Sequence, residues 1–291
     1  ILEDAGVSIL ITEAAFHPAI GSIRDELPQL THLVCVGGDI PAGWLSFEDE
    51  IEKSCEKNVS PAPVELDDVQ RIMYTSGTTS RPKGAMITYG NVYWKNVAHI
   101  MDFNLTAADR TLVVGPLYHV GGLDLPATGV LYMGGSVVIL PKFDPERVLE
   151  AVHEEGVTNM WLAPTMIAGV LARKDIDRFN LETLRIIIDG GEKMPIPLIE
   201  ELLRVIPSCG FYDAYGLTET VSGDTFLPPI DAVRKTGSVG LPTHQLRVRI
   251  VDESGHDMPS DELGEIILRG PKVFVGYWNN PEAYKEVFVD G

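Results

Sequence analysis

Little in these 291 residues suits a metal scaffold, a membrane span or a nucleic-acid partner. The three cysteines, Cys35, Cys55 and Cys209, lie far apart without metal-ligand spacing. An odd count fits reduced, cytoplasmic surroundings better than a disulfide framework. No apolar run approaches the roughly 20 residues that cross a bilayer, and no signal-peptide pattern is visible. Positive charge is scarce: 23 Lys and Arg face 42 Asp and Glu, for a net charge of -19. So acidic a surface argues against non-specific nucleic-acid binding and against anionic membranes, and any phosphate site must bring its own cations. An initiator methionine is lacking too. The chain opens on Ile1–Thr12, which reads as a helix end capped by Gly6 and then a buried strand, Val7–Ile11. Starting inside an α/β unit is the expected mark of a fragment. With 45% hydrophobic and 22% charged residues, what remains is an ordinary globular chain with length enough for a core.

The elements alternate. Strands are expected at Leu33–Val36, Val69–Tyr74, Asp109–Val114, Ser136–Leu140, Val157–Ala163 and Arg185–Asp189. Helices are expected from Asn91 to Ala98, from an Asp144 cap with Pro145 at the first position up to Gly156, and from Met166 to Arg173. The acidic, proline-bearing stretch from Gly43 to Asp68 reads as a loop with a short surface helix. Such alternation predicts an α/β fold of layered, largely parallel sheets over residues 1–230. From Asp231 to Gly291 the pattern turns to a β-rich segment of the same large domain, with Asp252–Gly255 as a hairpin-type turn.

Two dense stretches carry chemistry. Tyr74–Gly84 packs Thr75, Ser76, Gly77, Thr78, Thr79 and Ser80 ahead of Arg81, Pro82, Lys83 and Gly84, between a strand and a helix. On residue types alone it is either a plain polar loop or a polyanion cradle, and the density of donors and cations favours the cradle. A Walker A loop needs Gly-Lys-Ser/Thr, whereas here the order is Lys83-Gly84-Ala85, so an ordinary P-loop NTPase fits poorly. The second stretch is Phe211–Thr220, which taken alone could equally be a strand ending in a capped turn. Beside a triphosphate, its Glu219 is repelled unless a divalent cation lies between, which suits it as a magnesium ligand. Tyr215 offers a flat face to an adenine, and Thr218 a hydroxyl to the α-phosphate. His119 follows a strand's carboxyl end, flanked by Tyr118 and by Gly121-Gly122, where α/β proteins place their sites. A lone His there is more often structural than catalytic, and positioning suits His119 better than general-base work.

The order of the first stretch resembles the phosphate loop of the adenylate-forming superfamily, which holds acyl-CoA synthetases, luciferases and peptide-synthetase adenylation domains. The family pattern is Ser/Thr-Ser-Gly-Thr-Thr-Gly-x-Pro-Lys-Gly, from which this chain departs at Ser80, where the family has glycine. Tyr215-Gly216-Leu217-Thr218-Glu219 matches each fixed position of the family's Tyr-Gly-x-Thr-Glu, and Gly190-Gly191 matches the turn lying along the adenine. Pro116–Gly122 and the Gly264–Glu282 block are similar to further family stretches, so the resemblance covers nearly the whole chain. It implies ATP-phosphate contacts from Thr75, Ser76, Gly77, Thr78, Thr79 and Lys83, and nucleotide contacts from Gly190, Gly191, Tyr215 and Gly216. It also implies Mg2+ held with Glu219 and Thr78, and catalytic roles for Thr218, Glu219 and His119. The implied reaction is AMP-forming ligation of a carboxylic acid to CoA, through an acyl-adenylate made from ATP.

By the same resemblance, the text the family carries onward, with its ribose-binding Asp and its lid lysine, is not in this sequence, and the fragment alone is expected to be largely inactive. Trp161–Met166 and Leu117–His119 are implied to line the acid pocket, whose apolar character favours a fatty or aryl acid; the expectation is a medium- or long-chain fatty acid. A carrier-protein loader and a nucleotide-binding module without turnover remain as alternatives.

Overall fold

The computed structural model describes residues 1–54, 59–75 and 81–288. The chain divides into two compact units. One comprises Ile1–Val64, Tyr74–Gly84 and Gly276–Gly291; the other comprises Glu65–Met73 and Ala85–Val275.

In the first unit β1 (Ile9–Glu13), β2 (His32–Val36) and β3 (Leu45–Ser46) form a parallel sheet, joined by α1 (His17–Ile23) and followed by α2 (Phe47–Ser54). The expected helix end before β1 is instead a turn. Gly6 holds φ +61° and its N–H reaches Glu3 O at 3.0 Å, so the left-handed glycine closes a turn rather than capping a helix. Asp4 gathers this unit's far segments: its carboxylate accepts from Tyr74 Oη at 2.5 Å, and its carbonyl accepts from Trp278 Nε1 and Asn279 Nδ2.

The chain passes to the second unit through β4 (Val69–Thr75) and β5 (Lys83–Thr88), which pair with each other. Helix α3 (Tyr89–Phe103) follows, longer than its apolar spacing suggested. The cause is local: Thr88 and Asn91 form a reciprocal capping box at its start, and Asn104 ends it in the left-handed conformation. Then come β6 (Arg110–Val113), the short helices α4 (Val120–Leu123) and α5 (Gly129–Tyr132), and β7 (Ser136–Ile139). The next stretch holds α6 (Pro145–Glu155), β8 (Asn159–Trp161), α7 (Pro164–Leu171) and β9 (Ile186–Gly190). It ends in α8 (Ile196–Val205), β10 (Gly210–Tyr215), β11 (Thr225–Leu227) and β12 (Leu241–Pro242). Helix α6 has the predicted ends: Asp144 accepts from the N–H groups of Glu146 and Arg147, and Gly156 turns left-handed at φ +66°.

The central sheet runs β12-β11-β10-β9-β8-β6-β7, parallel from β10 to β7 and antiparallel at the β11 and β12 edge. Its buried strand β9 alternates faces. Ile187 packs with Leu112, Met160, Phe211 and the apolar sides of α6, α7 and α8, while Ile186 and Ile188 pack with Phe103, Leu125 and Phe226. Both faces are thus covered, as a parallel sheet requires. Chain order reverses between β6 and β8, which makes their carboxyl ends the switch point where open α/β sheets bind ligands.

Past residue 231 the strands are β12 and a hairpin of β13 (Arg247–Val251) with β14 (Glu265–Arg269). The Asp252–Gly255 turn forms, with Gly255 N–H on Asp252 O at 3.0 Å, but does not join the two strands. A bridge from Val251 to Asp257 continues it, and the connection runs on to Glu265. Helix α9 (Pro281–Val287) belongs to the first unit. No helix among the described residues is long and apolar enough to cross a membrane.

Candidate active site

A cleft of about 110 Å3 opens at the switch point of the second unit. It is lined by residues from four strand ends: His119 and Gly121 beyond β6, Trp161 on β8, Gly190 and Gly191 on and after β9, and Tyr215, Gly216 and Thr218 on and after β10. Of the residues singled out in the sequence, His119, Gly190, Gly191, Tyr215, Gly216 and Thr218 are brought together here, and Glu219 follows in the same short turn, Thr218–Thr220. Thr75 ends β4 and Lys83 begins β5, both in the other unit, where the Lys83 ammonium lies 5.4 Å from the Tyr277 ring centre. Ser76, Gly77, Thr78 and Thr79 lie outside the described residues, as does Ser80.

The walls are built by close approach. A Cβ on Gly190 would stand 2.7 Å from Ala214 O, and one on Gly216 would stand 2.4 Å from Gly223 N, so both glycines let backbone meet backbone. Trp161 lies along a glycine wall: a Cβ on Gly115 or Gly121 would come within 2.9 or 3.0 Å of its indole. The His119 ring sits 6.1 Å away, tilted by 31°. The two rings and the glycines shape an aromatic slot. His119 caps α4, its Nδ1 accepting from Gly121 N–H at 3.0 Å, which puts the ring proton on Nε2 as a donor. This geometry supports positioning over proton abstraction.

Donor chemistry fits a nucleotide with one divalent cation. Gly190 and Gly216 are held against neighbouring backbone, Gly191 leaves open space at φ +90°, and the half-buried Tyr215 lies beside them in the cleft. Among the described residues no cluster of three or more His, Cys, Asp or Glu side chains could hold a metal alone. A Mg2+ ion commonly takes one or two carboxylates with the substrate's phosphates, and Glu219 is the carboxylate that could serve it here. When bound, Mg2+ neutralises phosphate charge and favours departure of pyrophosphate.

Sequence reasoning missed Asp189 and Asp213 as a pair. They sit side by side in the β9–β10 register, directly before the cleft-lining residues Gly190 and Ala214. Asp189 is fully buried, and neither of its carboxyl oxygens has a hydrogen-bond partner among the described residues. Burial, then the neighbouring Asp213, push its carboxyl up to about 8; burial pushes Asp213 up to about 6. A carboxyl raised in the folded state contributes stability that is fully present below its ordinary range and lost as pH rises through the folded value. Stability therefore falls between about pH 4 and pH 8. Asp189→Asn cannot ionise, so its unfolding free energy relative to the parent, measured by denaturant titration, should improve from pH 5 to pH 8 by on the order of 3 kcal/mol. A difference that stays constant with pH would contradict a protonated Asp189.

The AMP-binding enzyme family model matches residues 1–278. An indoleacetate–CoA ligase from Aromatoleum aromaticum is 37% identical over 292 aligned residues, covering 100% of this chain and 56% of the relative. Among solved structures, the anthranilate CoA ligase AuaEII in complex with anthranoyl-AMP superposes with a TM-score of 0.88 at 29% identity, over 98% of this chain and 55% of that one. The o-succinylbenzoate coenzyme A synthetase from Bacillus subtilis, bound to ATP and magnesium, gives a TM-score of 0.80 at 28% identity, over 100% and 56%. The chain spans about half the length of the curated relatives it matches.

Proposed function

The chain belongs to the AMP-binding enzyme family, and we propose that in the full-length protein it forms the nucleotide- and acid-binding part of an AMP-forming carboxylate–CoA ligase. The observation that carries this is convergence. His119, Trp161, Gly190-Gly191, Tyr215-Gly216 and Thr218 meet in one cleft at the switch point of a parallel sheet. ATP, CoA and Mg2+ are the proposed co-substrates and cation.

In the proposed reaction a carboxylate oxygen attacks the α-phosphorus of ATP, the bond to the β-phosphate oxygen breaks, and pyrophosphate leaves. The product is an acyl-adenylate. CoA then adds through its thiolate sulfur to the acyl carbon, AMP departs, and the thiol proton goes to solvent. The protein's part is positioning and charge stabilisation. Tyr215 and the Gly190-Gly191 turn orient the base, Thr218 donates to the α-phosphate, Glu219 holds Mg2+, and His119 Nε2 donates toward the acid or phosphate oxygens. Thr75, Ser76, Gly77, Thr78, Thr79 and Lys83 are proposed to hold the β- and γ-phosphates, with Thr78 joining Glu219 on Mg2+.

The acid proposed is aromatic. Trp161 and His119 frame a slot floored by glycine, which suits a flat ring, and the relatives named above act on indoleacetate, anthranilate and o-succinylbenzoate. The test is CoA-dependent AMP release by the full-length enzyme, with aryl acids set against medium- and long-chain fatty acids. An aryl acid should lead, and Trp161→Ala should raise its KM about tenfold or more, the scale of one lost aromatic contact. Preference for a fatty acid, with Trp161→Ala neutral, would overturn the aryl reading in favour of the fatty acid expected from sequence.

A further inference from the structure

The turn that presents Thr218 and Glu219 sits in an unfavourable backbone. After the short helical turn Thr218–Thr220, three consecutive residues are left-handed: Val221 at φ +57°, Ser222 at φ +64° and Gly223 at φ +61°. A β-branched residue in that region is a genuine outlier, and such backbone persists only where its surroundings over-determine it. Val221 is wholly buried.

What supports it comes from far along the chain. Lys272, 1% exposed, donates from Nζ to Ser222 O at 2.6 Å and to Gly223 O at 2.7 Å. It also ion-pairs with Asp224 Oδ1 at 3.0 Å. The left-handed run turns two successive carbonyls toward one point, and the ammonium occupies that point. Asp224, itself fully buried, carries the effect back through its other oxygen. Oδ2 accepts from Leu217 N–H at 3.1 Å and from the Thr220 hydroxyl at 2.5 Å, the residues that bracket Thr218 and Glu219. The segment bearing Lys272 is fastened on both sides. Asn91, in the first turn of α3, donates to Pro271 O and Val273 O at 3.0 and 2.8 Å, and Phe274 N–H donates to Glu219 O at 2.7 Å.

We propose that Lys272, acting through Asp224 and the Ser222 and Gly223 carbonyls, is a positioning residue that seats the Leu217–Asp224 turn and so sets the reach of Thr218 and Glu219 toward phosphate and metal. The functional half rests on the ligase reading above; the seating half does not. The pair is a buried ammonium and carboxylate, so removing one charge strands the other. Lys272→Met is therefore made alone and together with Asp224→Asn, which keeps volume and removes both charges.

Two readouts on the full-length protein decide the matter. The first is amide hydrogen exchange, which should quicken in Leu217–Asp224 and stay unchanged in the α6–α8 core. The second is pyrophosphate exchange, in which the Mg2+ concentration for half-maximal rate should rise about tenfold and kcat should fall roughly 100-fold. The KM for the acid should stay within about threefold, because Trp161 and Gly121 lie off the turn. Global loosening would lower the active fraction without moving the Mg2+ requirement. Unchanged exchange in the turn, loosening spread evenly over the chain, or an unmoved Mg2+ requirement would each overturn the proposal. A parent protein without pyrophosphate exchange refutes the ligase reading instead, and amide exchange then decides the seating of the turn by itself.

Discussion

Glu219→Ala should lower magnesium-dependent pyrophosphate exchange by roughly a thousandfold, the largest loss expected from any single side chain of the candidate site. The reason is scarcity. No described cluster of acidic or imidazole groups could hold the cation in its place. One carboxylate beside a triphosphate is tolerable only with a divalent ion between them, so its removal weakens both the ion's seat and its alignment. Glu219→Gln should recover little, because a neutral amide keeps the shape and loses the charge. Initial rates at saturating ATP over a Mg2+ series measure this. Retention of more than about a tenth of the parent rate at every Mg2+ concentration would rule out Glu219 as the principal ligand.

Gly216→Ala is expected to be nearly as damaging, for a steric reason. An added Cβ would lie 2.4 Å from Gly223 N and 3.0 Å from Ser222 C, all backbone, inside the turn that Lys272 and Asp224 hold. Backbone there cannot yield without moving Thr218 and Glu219, so ATP affinity should fall at least about thirtyfold, with destabilisation of roughly 2 kcal/mol. Gly191→Ala is the control. A Cβ there meets nothing within 4 Å, although φ is +90°. It carries only conformational strain, roughly 1 kcal/mol. Calorimetric ATP titration separates the two, and equal losses would mean that strain rather than contact governs this wall.

Local chemistry was legible in the sequence; distant partnership was not. Helix α6 could be drawn from Asp144, Pro145 and Gly156 because a cap, a first-turn proline and a left-handed stop each act within a few residues. Tyr215–Glu219 could be read as a site for the same reason: its chemistry sits in consecutive residues. The strand expected over Val157–Ala163 shrinks to Asn159–Trp161, since pairing with β6 and β9 sets its ends and residue type does not. A helix cap and the Gly6 turn look alike in sequence because both use a left-handed glycine. Lys272 gave no signal at all. A lysine in a strand-rich, polar stretch reads as solvated, and only the fold brings its ammonium against carbonyls about 50 residues earlier. The same holds for Lys95, wholly buried on α3, whose ammonium donates to Asp124 O and Asn96 Oδ1 while burial lowers it to about 7. Asp189 and Asp213 meet only through strand register, which no local pattern announces.

The measurement that bears most directly on the central claim is exchange of labelled pyrophosphate into ATP by the full-length protein, with Mg2+ and without CoA, across a panel of carboxylic acids. Adenylation predicts exchange that appears only when a fitting acid is present, strongest with an aryl acid, because pyrophosphate returns to ATP only by reversing acyl-adenylate formation. Bound ATP with no exchange for any acid would contradict the claim and leave a nucleotide-binding domain without turnover.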